Sequence, residues 1–145
     1  MDGKSEDLVL LDTCVFLKYF FAEEGKDIVG VLLEKIVSKE LKAVVSVCTL
    51  SELVTVCIRS KKEEMIPTII LFMRQNFYVA NTTPETAILA GYFKAQYSRN
   101  QKTLSYVDSV ILATSFLYGS VLLTYDSEYD EVKEVGIKTP EEYLE

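Results

Sequence analysis

Short apolar runs alternate along the chain with longer segments whose apolar residues recur at helical spacing, and this alternation predicts the fold. Leu8 to Leu11 is a continuous apolar run ending in Asp12, a first strand. CVFLKYFF follows at once and is expected to continue as a helix to Glu24, where Gly25 breaks it. From Asp27 to Lys39, Ile28, Val31, Leu32 and Ile36 repeat at helical spacing, with charges largely on the other face. Ala43 to Val47 reads as a second buried strand. Thr49 to Ser60 reads as a helix with Leu50, Leu53, Val54, Cys57 and Ile58 on one stripe, and Thr49 with Glu52 has the T-x-x-E form of a capping box. Past a charged corner from Lys61 to Glu64, a helix is expected around Pro67 to Gln75 and a third strand from Phe77 to Ala80. Thr83, Pro84 and Glu85 supply an N-cap, a proline at the first helical position and an acid in the first turn of a helix running to about Ser98. Arg99 to Thr103 is a polar, basic loop.

The most apolar segment is Ser105 to Asp126, SYVDSVILATSFLYGSVLLTYD. It predicts a helix with Asp108 in its first turn, where Val110, Ile111, Leu112, Ala113, Phe116 and Leu117 leave almost no polar face. Gly119 suits the left-handed residue that ends a helix. Val121 to Leu123 suits a strand buried on both faces and is followed closely by Asp126. VGIKT is expected to form a short last strand and PEEYLE a terminal turn. Strands alternating with helices imply a three-layer α/β/α arrangement around a parallel sheet of four to five strands. A length of 145 residues predicts one domain over 1–145, large enough to bury a core without staples.

Composition narrows the chemistry. At 49% hydrophobic and 26% charged residues the chain is an ordinary globular one, not a disordered one. No apolar run reaches spanning length, and LVLLDTCVFLKYFF is interrupted by Asp12 and Lys18 and preceded by an acidic segment. A soluble, cytoplasmic protein with no export signal and no membrane partner is therefore expected. Cys14, Cys48 and Cys57, an odd number without a C-x-x-C pair, read as small core residues in a reducing compartment. The chain has no histidine. That removes Ser-His-Asp and Cys-His catalysis and zinc sites built on imidazole. Chemistry must run on carboxylates, lysine, tyrosine, hydroxyls or a metal held by oxygen. The net charge of −7 speaks weakly against a nucleic-acid partner, though it says nothing of local patches.

Four acids adjoin apolar runs and share one predicted end of the sheet. Asp12 closes the first strand and Asp126 the fourth; if those strands are neighbours, the two meet where the strand order reverses. Glu52 falls in the first turn after the second strand, and Asp108 leads the helix feeding the fourth. Each acid alone has a structural reading. Glu52 and Asp108 can serve as cap partners, of Thr49 and of Ser105, and Asp12 and Asp126 can accept backbone hydrogen bonds at strand ends. Asp7, Asp27 and Asp130 have no such placement. Four acids close together need a cation, and hard divalent ions take oxygen ligands. Such a centre polarises a phosphate and lowers the pKa of a bound water, with no need of histidine. Lys18, Arg59, Arg99 and Lys102 are candidate phosphate contacts, each with a solvated charge as the plainer reading. Tyr106 is either a stacking face for a base or a core residue.

LLDTCVFL, SVCTLSEL and LSYVDSVILATSFLYGSVLLTYD, with the intervals between them, resemble the PIN-domain family and, within it, the compact VapC-type ribonuclease toxins. The resemblance implies a five-stranded parallel sheet and an acidic quartet of Asp12, Glu52, Asp108 and Asp126. Asp12, Asp108 and Asp126 would hold Mg2+ or Mn2+, Glu52 would act on the attacking water, and Thr13 and Thr124 would be supporting hydroxyls. It implies hydrolysis of single-stranded RNA and an antitoxin protein offering a basic side chain to the acidic pocket, and it leaves a homodimer open. Cys14 departs from the family, which often has Asn there. Three other readings compete. An aspartyl-nucleophile phosphatase wants D-x-D-x-T, but here Asp12 is followed by Thr13, Cys14 and Val15. A PIN-like scaffold would bind RNA or protein without cutting. A housekeeping nuclease would process RNA without being a toxin.

Overall fold

The computed structural model describes residues 8–98 and 103–145. Its elements in chain order are β1 (Leu8–Leu11), α1 (Thr13–Phe20), α2 (Lys26–Val37), β2 (Lys42–Ser46), α3 (Val47–Arg59), α4 (Ile66–Asn76), β3 (Tyr78–Ala80), α5 (Pro84–Tyr97), α6 (Tyr106–Tyr118), β4 (Val121–Leu123), β5 (Ile137–Lys138) and α7 (Pro140–Leu144). The five strands form one sheet in the order β3-β2-β1-β4-β5, and every pairing is parallel. The chain builds outward from β1 to β2 and β3 on one side, then returns to place β4 and β5 on the other. The order thus reverses beside β1, where an open α/β sheet leaves a crevice at the carboxyl ends of its strands.

The sheet separates two apolar cores, because successive strand residues point to opposite faces. Val9, Leu11, Ala43, Val45 and Leu123 face α1 to α4, joining Phe16, Leu32, Leu53 and Met73. Leu10, Val44, Ala80 and Leu122 face α5 and α6, joining Phe93, Ile111 and Leu112. This is the expected three-layer α/β/α architecture with five strands.

Helix α6 is buried around its whole circumference from Ser109 to Ser115. Its buried hydroxyls bond to the backbone: Thr114 Oγ1 donates to the Val110 carbonyl at 2.7 Å and Ser115 Oγ to the Ser120 carbonyl at 3.1 Å. That burial ends sooner than the sequence suggests. Phe116 and Leu117 are 46% and 48% exposed, because the last turn emerges from the layer before Gly119 (φ +66°) reverses the chain.

Other boundaries also shift. Helix α1 stops at Phe20 instead of reaching Glu24, and the chain turns through Ala22 (φ +54°) and Gly25 (φ +93°) into α2. A Cβ on Gly25 would lie 3.0 Å from Lys18 Cδ. Gly25→Ala is therefore expected to lower stability by about 1 kcal/mol or more in urea denaturation, from backbone conformation and crowding together. Strand β2 covers 42–46, and α3 starts at Val47 because Ser46 Oγ accepts the Cys48 N–H at 3.1 Å. The Thr49–Glu52 capping box does not form; both residues already lie within the helix. A capping box does form at Thr139 and Glu142, so the terminal PEEYLE segment is the short helix α7 and not a turn. Of the cysteines, Cys57 is buried while Cys14 and Cys48 are half-buried, and all three are free thiols. Among the described residues no helix is long and apolar enough to cross a membrane.

Candidate active site at the carboxyl edge of the sheet

The pairing of β1 with β4 sets Leu11 opposite Leu123, so the residues just past both strands are neighbours. The Asp12 N–H continues the ladder onto the Leu123 carbonyl at 3.0 Å. The Asp12 side chain faces two ways. Oδ1 accepts the Thr13 N–H at 2.8 Å and so caps α1, while Oδ2 accepts the Thr124 hydroxyl at 2.8 Å. Thr124 Oγ1 in turn accepts the Asp126 N–H at 3.0 Å. One hydroxyl therefore links the two acids. Asp126 Oδ1 accepts the Glu128 N–H at 2.9 Å and caps the short turn Ser127–Tyr129.

Asp108 arrives from the other side. Ser105 Oγ accepts the Asp108 N–H at 3.0 Å, which starts α6 and leaves the Asp108 carboxylate free to reach the cluster. Tyr129, fully buried beneath the site, donates its hydroxyl to the Asp108 carbonyl at 3.3 Å. One carboxylate oxygen each from Asp12, Asp108 and Asp126 can be chosen so that all three lie within 4.8 Å of one another. Glu52 stands beside this set. Its carboxylate accepts the Thr13 hydroxyl, which also lies 3.1 Å from the buried Thr49 hydroxyl. The threonine expected to cap α3 thus packs against the threonine that orients Glu52.

The electrostatics follow from burial. Asp12 is only 4% exposed, and burial pushes its pKa up to about 6. The Thr124 bond opposes this, and the charges of Asp108 and Glu52 reinforce it. Glu52 is also raised, first by burial and further by Asp108, against the Thr13 hydrogen bond. Burial and then Asp12 push the Cys14 thiol up to about 12. Cys14 is accordingly a neutral, weak hydrogen-bonding group and not a nucleophile. Its Sγ lies 3.6 Å from Asp12 Oδ2 and 3.5 Å from Thr124 Oγ1, and it accepts the Tyr125 N–H at 3.4 Å.

Glu128 is an acid that the sequence reasoning missed. Its pKa is raised to about 7, first because its carboxyl hydrogen-bonds the Asp108 carboxylate, then through burial and the charges of Asp126, Asp108 and Asp12. The available signal was the D-x-E spacing after a strand end, which places a second acid on the same tight turn. Tyr129 was missed as well; burial, with Asp12, Asp108 and Asp126 around it, holds its phenol protonated.

The basic candidates fare differently. Lys18 Nζ donates to the Glu24 carbonyl at 2.9 Å and lies 4.5 Å from the centre of the Tyr125 ring, so it braces the loop after β4. Tyr125 completes that brace by donating to Glu141 of α7 at 2.9 Å. Arg59 is exposed at the far end of α3, about 10 Å along the helix from Glu52 at 1.5 Å per residue. Arg99 and Lys102 lie outside the described residues. Tyr106 is 68% exposed and so is not a core residue; Lys94 Nζ sits 5.5 Å from its ring centre.

Three carboxylates crowded at a buried edge repel one another and favour a shared cation. Their donor atoms are all oxygen, with no imidazole or thiolate among them, which suits a hard divalent ion.

The family model for the PIN domain matches residues 9–135, a span that contains Asp12, Glu52, Asp108 and Asp126. Several solved structures are similar. VapBC2 from Rickettsia felis, bound to a DNA fragment from its promoter, matches with a TM-score of 0.74 at 14% identity, covering 91% of this chain and 98% of that one. DNA-bound VapBC from Salmonella typhimurium gives 0.70 at 19% identity, covering 91% and 97%. A toxin–antitoxin complex from Klebsiella pneumoniae gives 0.68 at 20% identity, again covering 91% and 97%. At these identities the likeness is one of fold. No curated protein sequence matches the chain.

Proposed function

The chain belongs to the PIN domain family, and from that premise we propose that it is a metal-dependent endoribonuclease of single-stranded RNA and the toxin of a toxin–antitoxin pair. The observation that carries this reading is the meeting of Asp12, Asp108 and Asp126 at the carboxyl edge, with Glu52 held beside them by Thr13. Its fold likeness to VapC-type chains and its membership of a family of nucleases support it.

In this reading Asp12, Asp108 and Asp126 hold Mg2+ or Mn2+. The ion, when bound, supplies a Lewis acid for the phosphate and lowers the pKa of a water. Glu52 takes the proton from the attacking water; its raised pKa makes it a stronger base than an exposed glutamate. Thr13 fixes the direction of that carboxylate. Thr124 keeps Asp12 and Asp126 in register with each other, and Tyr129 and the buried α6 keep Asp108 from retreating. An antitoxin would place a basic side chain in the acidic pocket, and a second copy of the chain is a further candidate partner. Three free thiols fit residence in the cytoplasm.

The test is a cleavage assay on single-stranded RNA with a chelator control. Cutting is expected with Mn2+ or Mg2+, none with chelator, and a loss of about 10²-fold or more for Glu52→Gln, the scale of a lost general base. If clean protein cuts no RNA with any divalent ion, the non-catalytic scaffold takes the place of this reading.

A further inference from the structure

A cavity of about 350 Å3 opens beside the acidic cluster, between the ends of β4 and β5 and the turn at Ser127–Tyr129. It exists because β5 is only two residues long and the preceding segment returns to the core at Val132 and Val135, leaving this corner of the sheet uncovered. Asp126 lines the cavity and also belongs to the cluster. The Thr124 N–H, on the residue that links the two acids, bonds to the Lys138 carbonyl at 3.0 Å, so the wall at Lys138 is tied directly to the site.

The lining has two characters. Val132 and Ile137 are apolar, Thr139 and Glu142 are engaged with each other in the capping box of α7, and Ser127, Asp130 and Lys138 offer a hydroxyl, a carboxylate and an ammonium. Among the described residues these three polar side chains make no hydrogen bond or ion pair of their own. A ligand with apolar faces and an edge carrying both donors and acceptors matches such a lining. A nucleobase has that form: its amino groups donate to a carboxylate, and its ring nitrogens and carbonyl oxygens accept from an ammonium or hydroxyl. The volume lies at the small end of the range for ligand pockets, as one base with part of its sugar requires.

We propose that this cavity receives the nucleobase flanking the scissile phosphodiester and sets the nucleotide preference of cleavage. The inference rests on the ribonuclease reading for its place in the reaction, but base binding can be measured without it. Because Asp126 is a shared wall, RNA positioned at the cluster brings an adjoining nucleotide to the cavity mouth. Lys138 and Asp130 then read the base edge, and Val132 and Ile137 take its faces.

The experiment has two arms. In the first, each of the four 5′-mononucleotides is titrated into the isotope-labelled protein with Mg2+ present. One or two of the four are expected to shift the amide signals of Ser127, Asp130 and Lys138, with affinity falling about tenfold in Lys138→Ala, as for a lost charge-assisted hydrogen bond. In the second, cleavage of a randomised single-stranded RNA is sequenced for wild type, Lys138→Ala and Asp130→Asn. The preference at one position beside the cut is expected to relax while cutting persists. The proposal is overturned if no mononucleotide moves those amides at millimolar concentration, or if both variants cut with the wild-type profile. If mononucleotides bind there but no RNA is cut with any divalent ion, the cavity stands as a base site and the ribonuclease reading falls alone.

Discussion

Asp12→Asn is expected to abolish metal-dependent cleavage and, at the same time, to stabilise the metal-free protein. On the proposed reading the loss of activity follows from removing one of the three acids that would hold the ion; several kcal/mol of lost charge stabilisation corresponds to about a thousandfold in rate. The gain in stability follows from the burial of Asp12, whose pKa stands at about 6 in the folded state against an ordinary 3.8. A raised carboxylate pKa means that the folded chain binds the proton more tightly than the unfolded one. Below about pH 4 both states are protonated and the group contributes no penalty. Between pH 4 and 6 the unfolded chain has lost a proton that the folded chain keeps, and stability falls as pH rises. Above pH 6 the full penalty of about 3 kcal/mol is present. Asparagine carries no charge, its Oδ1 still accepts the Thr13 N–H, and its amide faces Thr124 Oγ1. In chelator at pH 7 the variant should therefore melt roughly 6–12 °C higher than the parent. Saturating metal should raise the parent and leave the variant unmoved. A variant that kept full activity, or melted lower in chelator, would remove Asp12 from the site.

Thr124→Val should produce the second largest effect, because one buried hydroxyl serves two acids. It donates to Asp12 Oδ2 and accepts from the Asp126 N–H. Valine keeps the shape, leaves the buried Asp12 Oδ2 with only the weak Cys14 thiol as a donor, and strips the Asp126 N–H of its acceptor. The expected cost is about 2–4 kcal/mol of stability. Metal affinity should drop about 10–100-fold, as when a group supporting a metal ligand is removed. The Thr124 bond is what chiefly opposes the rise of the Asp12 pKa, so its loss moves the acid limb of the pH–rate profile to higher pH. Calorimetric metal titration and a pH–rate profile read both effects, and Thr124→Ser should recover most of each. Wild-type affinity and an unmoved acid limb in Thr124→Val would show that this hydroxyl does not position the acids.

Much of this architecture is written in local pattern. The run Leu8–Leu11 ending in Asp12, and the helix–glycine–strand segment from Tyr106 to Leu123, need only periodicity, turn chemistry and a polar stop to be read. Strand order completes the site: once β4 lies beside β1, Asp12 and Asp126 are neighbours. The misreadings arise where a rival cap or turn nearby, or a partner distant in sequence, overrides the local pattern. Thr49 and Glu52 match a capping box locally, but Ser46 starts the helix earlier and Thr13, 39 positions before Glu52, turns that carboxylate into the site. Phe116 and Leu117 continue the apolar pattern of α6 past the point where the neighbouring layers end. Glu128 looks like part of an acidic tail until the turn that Asp126 caps points it at Asp108. Lys18 reads as a free cation, yet Tyr125 and a backbone carbonyl already hold it.

The dual role of Asp12 has a consequence for which substitutions count as mild. One oxygen closes the first turn of α1 and the other looks into the site, and both must be reached from a single fixed Cα at the end of β1. Only a side chain with one methylene fits both tasks at once. Glutamate keeps the charge but pushes the carboxylate outward, so it can cap the helix or meet the other acids, not both. Aspartate and glutamate are therefore not interchangeable at position 12. A protein designer wishing to move the carboxylate at position 12 by an ångström would have to supply α1 with a different cap first.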